Sequence, residues 1–425
     1  MNDRNKNGHR LLYWLMTMEG LSMLGTRMTS MSFGIWIFHS THQTTPILWI
    51  ALFNELPAML AGSLAGMWVD RLPKRIVLLL SDAGQALGSA LLMISLWFGF
   101  FNLPLLYTVV FLQGICMMFQ GPASHTVTAM LTSERERDRV NGIREMLFPL
   151  AGIIAPVFVS LLYEPLGITG IVIMDGITFL ASAIFLLSVR LPDEEKKELN
   201  MNQSTITLRD IFGGVTFMVK HRLIGLAVYI GVINFLLNGT LEMVVPYVSG
   251  AAGEMGWGMP FVFICMNVGA LTGALIVALI GRFRDRIKVV MAGYTLTGLM
   301  FIVFGIAEDP IWLGAALFLL MLPLPAGGAL LNSYFQSVVP AALQGRVFAF
   351  LYQVNVASAV LSFIALGPLV DRILQPAANA GKLSWLLPIV GSQSVSGITI
   401  LYIAIGITMS AVTITTLIIR RSTGK

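Results

Sequence analysis

The sequence predicts an all-α membrane protein with twelve transmembrane helices in two pseudo-symmetric six-helix bundles. Three observations support this prediction: an apolar composition, long stretches without charge, and a weak internal repeat. Of the 425 residues, 56% are hydrophobic and only 12% are charged, whereas about 25% of the residues in a typical soluble domain are charged. A soluble chain of this size could not cover so much apolar surface, so we expect lipid to be its solvent.

The spans follow from stretches that contain no Asp, Glu, Lys or Arg, the longest of which is 83–133. A helix needs about 20 mostly apolar residues to cross a bilayer, so this stretch has room for two. Pro323 and Pro325 predict a break or kink in the tenth span. The predicted spans are 11–38, 45–69, 76–99, 103–124, 142–163, 167–190, 223–248, 257–280, 289–307, 311–335, 347–370 and 396–419.

The basic residues predict the orientation of the spans. With both termini in the cytoplasm, 24 of the 27 Lys and Arg residues fall on the cytoplasmic side, as the positive-inside rule requires. We therefore expect a multi-pass protein of the inner, cytoplasmic membrane. The long polar segment between spans six and seven suggests three parts: a bundle over 1–190, a cytoplasmic linker over 191–222 and a second bundle over 223–425.

The two halves repeat weakly at an offset near 210 residues. GSLAGMWVDRLPKR (62–75) follows span 2 and GALIVALIGRFRDRIK (273–288) follows span 8, so that Asp70 and Asp285 occupy corresponding places. Further matches fall in order, among them RVNG after span 4 and GRVFA after span 10. Duplicated six-helix halves around a central path are the pattern of secondary transporters.

The first of these loops, Gly66-x-x-x-Asp70-Arg71-x-x-Lys74-Arg75, resembles the signature loop of the major facilitator superfamily. LSMLGTRM, FQGPA, MDGITFLAS and VPAALQGRVFAF resemble its macrolide-efflux-like drug exporter branch, and the resemblance covers nearly the whole chain. It implies the fold of that superfamily. It also implies that Gly66, Asp70, Arg71 and Arg75 latch the halves in the outward-facing state; the alternative is that the basic residues only mark topology.

Ionisable residues inside predicted spans are costly, and they therefore indicate function. Glu19 and Arg27 lie on span 1, Glu55 on span 2 and Glu242 on span 7. At about 1.5 Å per residue, Arg27, Glu55 and Glu242 lie at comparable depth. We hypothesise that Arg27 pairs with Glu55 or Glu242, and that one carboxylate exchanges this partner for a proton or a cationic substrate. A purely structural ion pair is the alternative, and a structural role is expected for Asp175 on span 6.

Uncharged polar residues in cavity-type spans are predicted to complete a substrate pocket, although each is also typical of an interhelical hydrogen bond. They are Gln113, Asn234, Asn238 and Gln353.

The chain contains no P-loop, HExxH, GxSxG or zinc-ligand spacing, so we expect neither an enzyme nor a cofactor or metal. The sequence favours a secondary active transporter, a proton-coupled antiporter that exports amphipathic or cationic small molecules such as macrolides by alternating access. Multidrug efflux and antibiotic resistance would follow. The alternatives are an exporter or importer of one endogenous metabolite, siderophore or lipid, and a non-transporting scaffold or receptor. The expected partners are a small molecule, protons and the bilayer, not nucleic acid, and a monomer is expected.

Overall fold

The computed structural model describes most of the chain, and every regular element in its described part is helical. The described residues are 2–131, 137–189, 215–221, 223–252, 258–280, 283–307, 309–381 and 396–422. The predicted linker lies largely outside them, so its structure stays a prediction.

Five helices form the first part of the chain within its described residues, and the fifth contains a sharp kink. The kink falls at Gly167, whose φ of 62° and ψ of −177° divide the helix into two arms. A glycine is suited to this position because side chains rarely adopt a positive φ. The helices are α1 (Asn2–Thr41), α2 (Thr45–Arg71), α3 (Lys74–Trp97), α4 (Leu103–Leu131) and α5 (Arg137–Ser188).

As far as the structure describes it, the second part contains two interrupted spans and one π-helix. One interruption falls beside Pro323, as predicted; the other, at Met243, was not predicted. The helices are α6 (Ile224–Glu242), α7 (Val244–Ala252), α8 (Gly258–Ile280), α9 (Arg286–Ile306), α10 (Pro310–Met321), α11 (Pro323–Val338), α12 (Ala341–Leu369), the π-helix Val370–Leu374, α13 (Gln375–Asn379) and α14 (Gly397–Ser422).

Ten stretches of the described helices are long and apolar enough to cross a membrane. One of them, Pro149–Ser188, has 40 residues and contains the kink, so it supplies two spans. The 40-residue helix α1, which carries Glu19 and Arg27, is not among the ten. Counting α1 and both arms of α5 gives the predicted twelve spans.

The burial pattern of the first helices is that of a membrane protein, with apolar side chains outside and carboxylates inside. On α3, Leu87 is 71% exposed whereas Asp82 is 2% exposed. On α5, Leu180 is 54% exposed whereas Asp175 is 3% exposed. In lipid this arrangement is favourable, because apolar side chains need no water and ionisable ones are kept away from the hydrocarbon.

The chain divides into two compact units. The first unit comprises the described residues of Met1–Trp36 and Trp49–Thr207, and the second those of Ile37–Leu48 and Leu208–Lys425. The tip of the α1–α2 hairpin therefore belongs to the second unit, although the bodies of both helices belong to the first. The predicted limits of the two bundles stay a prediction. They did not assign the tip of the α1–α2 hairpin to the second unit.

Candidate functional site

A buried polar network runs through the first unit, built from residues seven positions apart on three helices. Two turns of an α-helix take about seven residues, so each such pair shares one helix face. The pairs are Asp82 and Ser89 on α3, Gln113 and Gln120 on α4, and Asp175 and Ser182 on α5. Gln85 joins the α3 face one turn after Asp82.

Asp82 lies at one end of this network and bonds to two neighbouring helices. Its Oδ1 accepts a hydrogen bond from Gln120 Nε2 at 2.6 Å, and its Oδ2 accepts one from Ser182 Oγ at 2.6 Å. Gln120 is oriented in turn, because its Oε1 accepts from Gln85 Nε2 at 2.7 Å. In this arrangement the group of Gln120 that faces Asp82 Oδ1 is its Nε2, a hydrogen-bond donor.

Asp175 lies at the other end and is reached through two further polar side chains. Gln113 Nε2 donates to the Gln85 carbonyl at 3.1 Å and to Ser89 Oγ at 3.4 Å. Ser89 Oγ donates to Asp175 Oδ2 at 3.1 Å, and Thr26 Oγ1 on α1 donates to Asp175 Oδ1 at 3.4 Å. Hydrogen bonds therefore connect Asp82 with Asp175 by way of Gln85, which takes part through its side chain on one side and through its backbone carbonyl on the other.

Glycines allow the helices that carry this network to approach closely. A Cβ on Gly88 would lie 2.8 Å from Gln113 Nε2, and one on Gly84 would lie 2.5 Å from Cys116 Sγ. These two glycines form a G-x-x-x-G face on α3 against α4, a motif that favours close packing of membrane helices. A Cβ on Gly25 of α1 would lie 2.8 Å from Asp175 Oδ1.

The chemistry of the network depends on the charge of its two carboxyl groups. Among the described residues, every hydrogen bond to Asp82 and Asp175 comes from a neutral amide or hydroxyl, and no cation pairs with either group. Burying an ionised carboxylate without a cation is unfavourable by several kcal/mol or more.

The four ionisable residues predicted for coupling are distributed over three helices. Glu19 is half-buried on α1, where its Oε2 accepts from Ser124 Oγ of α4 at 3.1 Å. Arg27 is half-buried about two turns further along α1, and Glu242 is exposed at the last residue of α6. Glu55 is half-buried on α2 and forms no ion pair within the described part of the chain. A pair between Arg27 and Glu242 would join the two units and stays a prediction.

The predicted latch is described only in part, because the structure describes the backbone of Gly66, Asp70 and Arg71 but not their surroundings. Arg75 donates from its Nε to the Leu186 carbonyl at 2.9 Å and from a terminal nitrogen to the Leu187 carbonyl at 2.7 Å. These carbonyls lie in the last turn of α5, where the helix lacks its own donors and a cation is favourable. Arg75 thus caps a helix within its own unit, and the latch role stays a prediction.

Of the four polar residues predicted for a pocket, Gln113 belongs to the buried network. Asn238 bonds within its own helix, from Nδ2 to the Asn234 carbonyl at 2.7 Å. Asn234 and Gln353 are half-buried in the second unit. Among the described residues, Gln113 is therefore the one of the four that hydrogen bonds join to the buried network.

Sequence reasoning missed Asp82, although the available signal was sufficient. Asp82 lies inside the predicted third span, and the same rule that singled out Glu55 applies to it. The expected structural role of Asp175 agrees with its hydrogen bonds, but its link to Asp82 through Ser89 and two glutamines depends on contacts between helices. Sequence spacing alone does not give those contacts.

The apolar helices, their number and the buried carboxylates define a multi-pass membrane protein of the transporter type. Residues 15–361 match the sequence profile of the Major Facilitator Superfamily. The chain therefore belongs to that superfamily, which confirms the resemblance seen in the signature loop.

Curated relatives are distant but extend over most of the chain. Macrolide efflux protein A of Streptococcus pyogenes is 20% identical over 389 residues, which cover 87% of this chain and 92% of that protein. The uncharacterized MFS-type transporter YkuC of Bacillus subtilis is 22% identical over 354 residues, covering 81% of each chain. The multidrug efflux pump Tap of Mycolicibacterium fortuitum is 24% identical over 333 residues, covering 76% and 80%.

Solved structures show the same fold at low sequence identity. The nucleoside transporter NupG has a TM-score of 0.73 and 14% identity, and the match covers 96% of this chain and 98% of that one. A bacterial homolog of the human lysosomal transporter Spinster has a TM-score of 0.70 and 13% identity, covering 97% and 95%. Together with the helices, these matches confirm the predicted fold class.

Proposed function

We propose that this chain is a secondary active exporter that exchanges protons for amphipathic or cationic small molecules, macrolides among them, by alternating access. The observation that carries this proposal is the pair of buried carboxyl groups, Asp82 and Asp175, which are 2% and 3% exposed and are bonded only to neutral donors among the described residues. The names of two relatives, a macrolide efflux protein and a multidrug efflux pump, support the substrate class.

Asp82 is the group proposed to bind the transported proton. Gln120 presents a donor to Oδ1, because its own oxygen is held by Gln85. The proton therefore belongs on Oδ2, where the Ser182 hydroxyl can reverse its direction and accept. In the closed state the protonated form satisfies every group in the site, whereas the ionised form leaves a buried charge without a countercharge.

Glu55 is the group proposed to meet a cationic substrate. Its carboxylate is half-buried on α2, and no hydrogen bond or ion pair engages it within the described part of the chain. The backbone at this point is held against α4, because Gly114 of α4 lies directly on the Asn54 carbonyl. A fixed and unengaged carboxylate at this depth can accept a cation without breaking an existing contact.

The remaining parts of the proposal concern location and assembly. We place the protein in the cytoplasmic membrane with both termini inside, since this orientation puts 24 of its 27 Lys and Arg residues on the cytoplasmic side. It works as a monomer, and its partners are the small molecule, protons and the bilayer.

The test uses everted membrane vesicles that carry an imposed proton gradient and a fluorescent pH reporter. A panel of cationic, neutral and anionic compounds, including a macrolide, is added to vesicles with the unaltered chain, Asp82→Asn, Glu55→Gln or Ser182→Ala. Cationic or macrolide compounds should dissipate the gradient with the unaltered chain and not with Asp82→Asn. Ser182→Ala keeps the carboxyl group but removes the partner of its Oδ2, so its response should lie between those of the unaltered chain and Asp82→Asn.

Three results would contradict parts of this proposal. Full gradient dissipation in Asp82→Asn would remove Asp82 from the proton path. A full response to cationic compounds in Glu55→Gln would remove Glu55 from cation binding. A response to none of the compounds would favour an exporter or importer of one endogenous metabolite, siderophore or lipid, whose ligand would then be sought in a membrane extract.

A further inference from the structure

A single carboxylate of the second unit caps the start of α2. Asp371 lies in the π-helix that follows α12. Its Oδ1 accepts from the Thr44 backbone nitrogen at 2.9 Å and from Thr44 Oγ1 at 3.0 Å, and its Oδ2 accepts from the Thr45 backbone nitrogen at 2.7 Å. Three hydrogen bonds therefore hold the α1–α2 tip, which we define as Ile37–Leu48.

The chemistry of this contact is that of a helix cap supplied from a distance. The first backbone N–H groups of a helix have no partner inside the helix, and a negative charge there is favoured by the helix dipole. A cap normally comes from a residue adjacent to the helix. Here it comes from a residue 326 or 327 positions away, so the cap also fixes where the tip lies.

Close packing beside Asp371 reinforces the contact. Gly367 lies one turn earlier, and a Cβ at this position would be 2.8 Å from the Thr45 Cα and 3.1 Å from a methyl group of Leu48. A side chain of any size on residue 367 would displace the tip. The π-helix widens the next turn, an irregularity that is frequent at functional sites.

We propose that Asp371 is a releasable latch that holds the α1–α2 tip in the second unit and lets it go during the transport cycle. It acts at the opposite end of α2 from the signature loop. The proposal rests on alternating access, which belongs to the proposed function, and not on the substrate or the coupling ion.

Release follows from the way α1 and α2 are shared between the units. The tip groups with the second unit, whereas the bodies of both helices group with the first. When the units move, either the helices bend at the tip boundaries or the tip detaches. Both boundaries lie inside continuous helix. Pro46 lies in the first turn of α2, where proline does not bend a helix, and Pro57, the proline in the interior of α2, lies well beyond the boundary. Asp371 is only half-buried, so water can replace its hydrogen bonds and detachment is the easier movement.

The test measures the position of the tip by pulsed electron spin resonance on the full chain in lipid nanodiscs. Spin labels are placed at His42→Cys in the tip and at Asn379→Cys on α13, both exposed positions, after replacement of Cys116 and Cys265. The unaltered latch should give two distance populations, one docked and one longer. Asp371→Asn should raise the ratio of the longer to the docked population about tenfold or more, because it weakens hydrogen bonds to a charged acceptor.

Two further variants keep the test decisive. Asp309→Asn is the matched control, because Asp309 caps its own helix by accepting from Ile311 N at 2.7 Å and should leave the tip unmoved. Gly367→Ala retains the carboxylate and should still raise the longer population by displacing Thr45. A single docked distance in every variant would overturn the proposal, and so would an equal shift in Asp309→Asn. The measurement needs no substrate, so its failure and a failure of drug export are distinguishable.

Discussion

Replacing Asp82 with alanine removes the acceptor of two buried donors, Gln120 Nε2 and Ser182 Oγ. Each buried donor left without a partner costs about 1–3 kcal/mol. The Ser182 hydroxyl can turn to a carbonyl of its own helix, so its cost lies near the lower limit. Gln120 has less freedom, because its amide can reverse only if the amide of Gln85 reverses with it. We therefore expect Asp82→Ala to destabilise the first unit by about 2–4 kcal/mol.

Asp82→Asn should have a much smaller effect, because asparagine resembles the protonated acid. Its Oδ1 can accept from Gln120, and its Nδ2 can donate to Ser182 Oγ once that hydroxyl reverses. Both donors then keep partners, and no buried charge remains. The expected change is below about 1 kcal/mol.

The assay is thermal unfolding of the purified variants in one detergent, followed by tryptophan fluorescence. A unit of this size loses roughly 2–4 °C in Tm per kcal/mol, so Asp82→Ala should lower the Tm by about 4 °C or more. Ser182→Ala is the control and should fall between the other two variants. If Asp82→Asn is as damaging as Asp82→Ala, both oxygens must accept, and the carboxyl group is ionised in the folded protein. If both variants match the unaltered protein, the network contributes nothing to stability.

Three other variants test further contacts. Gly114→Ala should lower the Tm, because its Cβ would collide with the Asn54 carbonyl, whereas Gly121→Ala on the same helix has nothing within 4 Å and should be neutral or slightly stabilising. Arg75→Ala should speed hydrogen exchange in the last turn of α5, and Arg75→Lys should restore protection only in part; equal exchange in all three proteins would contradict the capping role. Arg27→Ala should uncouple transport from the proton gradient in vesicles, and unchanged coupling would remove Arg27 from the mechanism.

The helices could be predicted because lipid imposes a simple rule, that every span must be apolar and must satisfy its own backbone. The same rule could have identified Asp82, which is an ionisable residue within a span. The break beside Pro323 was predictable because proline lacks an N–H. The break at Met243 was missed, although Pro246 follows three residues later and lacks the N–H that would bond to the Glu242 carbonyl. Local chemistry thus sufficed for the elements and for some of their irregularities.

The contacts between helices could not be predicted from neighbouring residues in the sequence. The hydrogen bonds of Asp371 join residues more than 300 positions apart, and the tip belongs to the second unit although the sequence gives α1 and α2 no break there. Likewise, Gln113 was predicted for a pocket because of its type, but its orientation toward Ser89 depends on how closely Gly88 lets α4 approach. Such pairings are set by packing, and one sequence contains no independent signal for them.

Helix α1 connects the two features that the sequence did not predict. Its body is held in the first unit by Thr26, which bonds to Asp175, and by Glu19, which bonds to Ser124. Its far end passes into the tip that Asp371 holds in the second unit. In the proposed cycle, a change in the protonation of Asp175 would alter the hold on the middle of α1, and a rigid helix would carry that change to its end. The buried network and the proposed Asp371 latch thus meet on one helix, which offers the proposed proton binding a physical route to release of the tip.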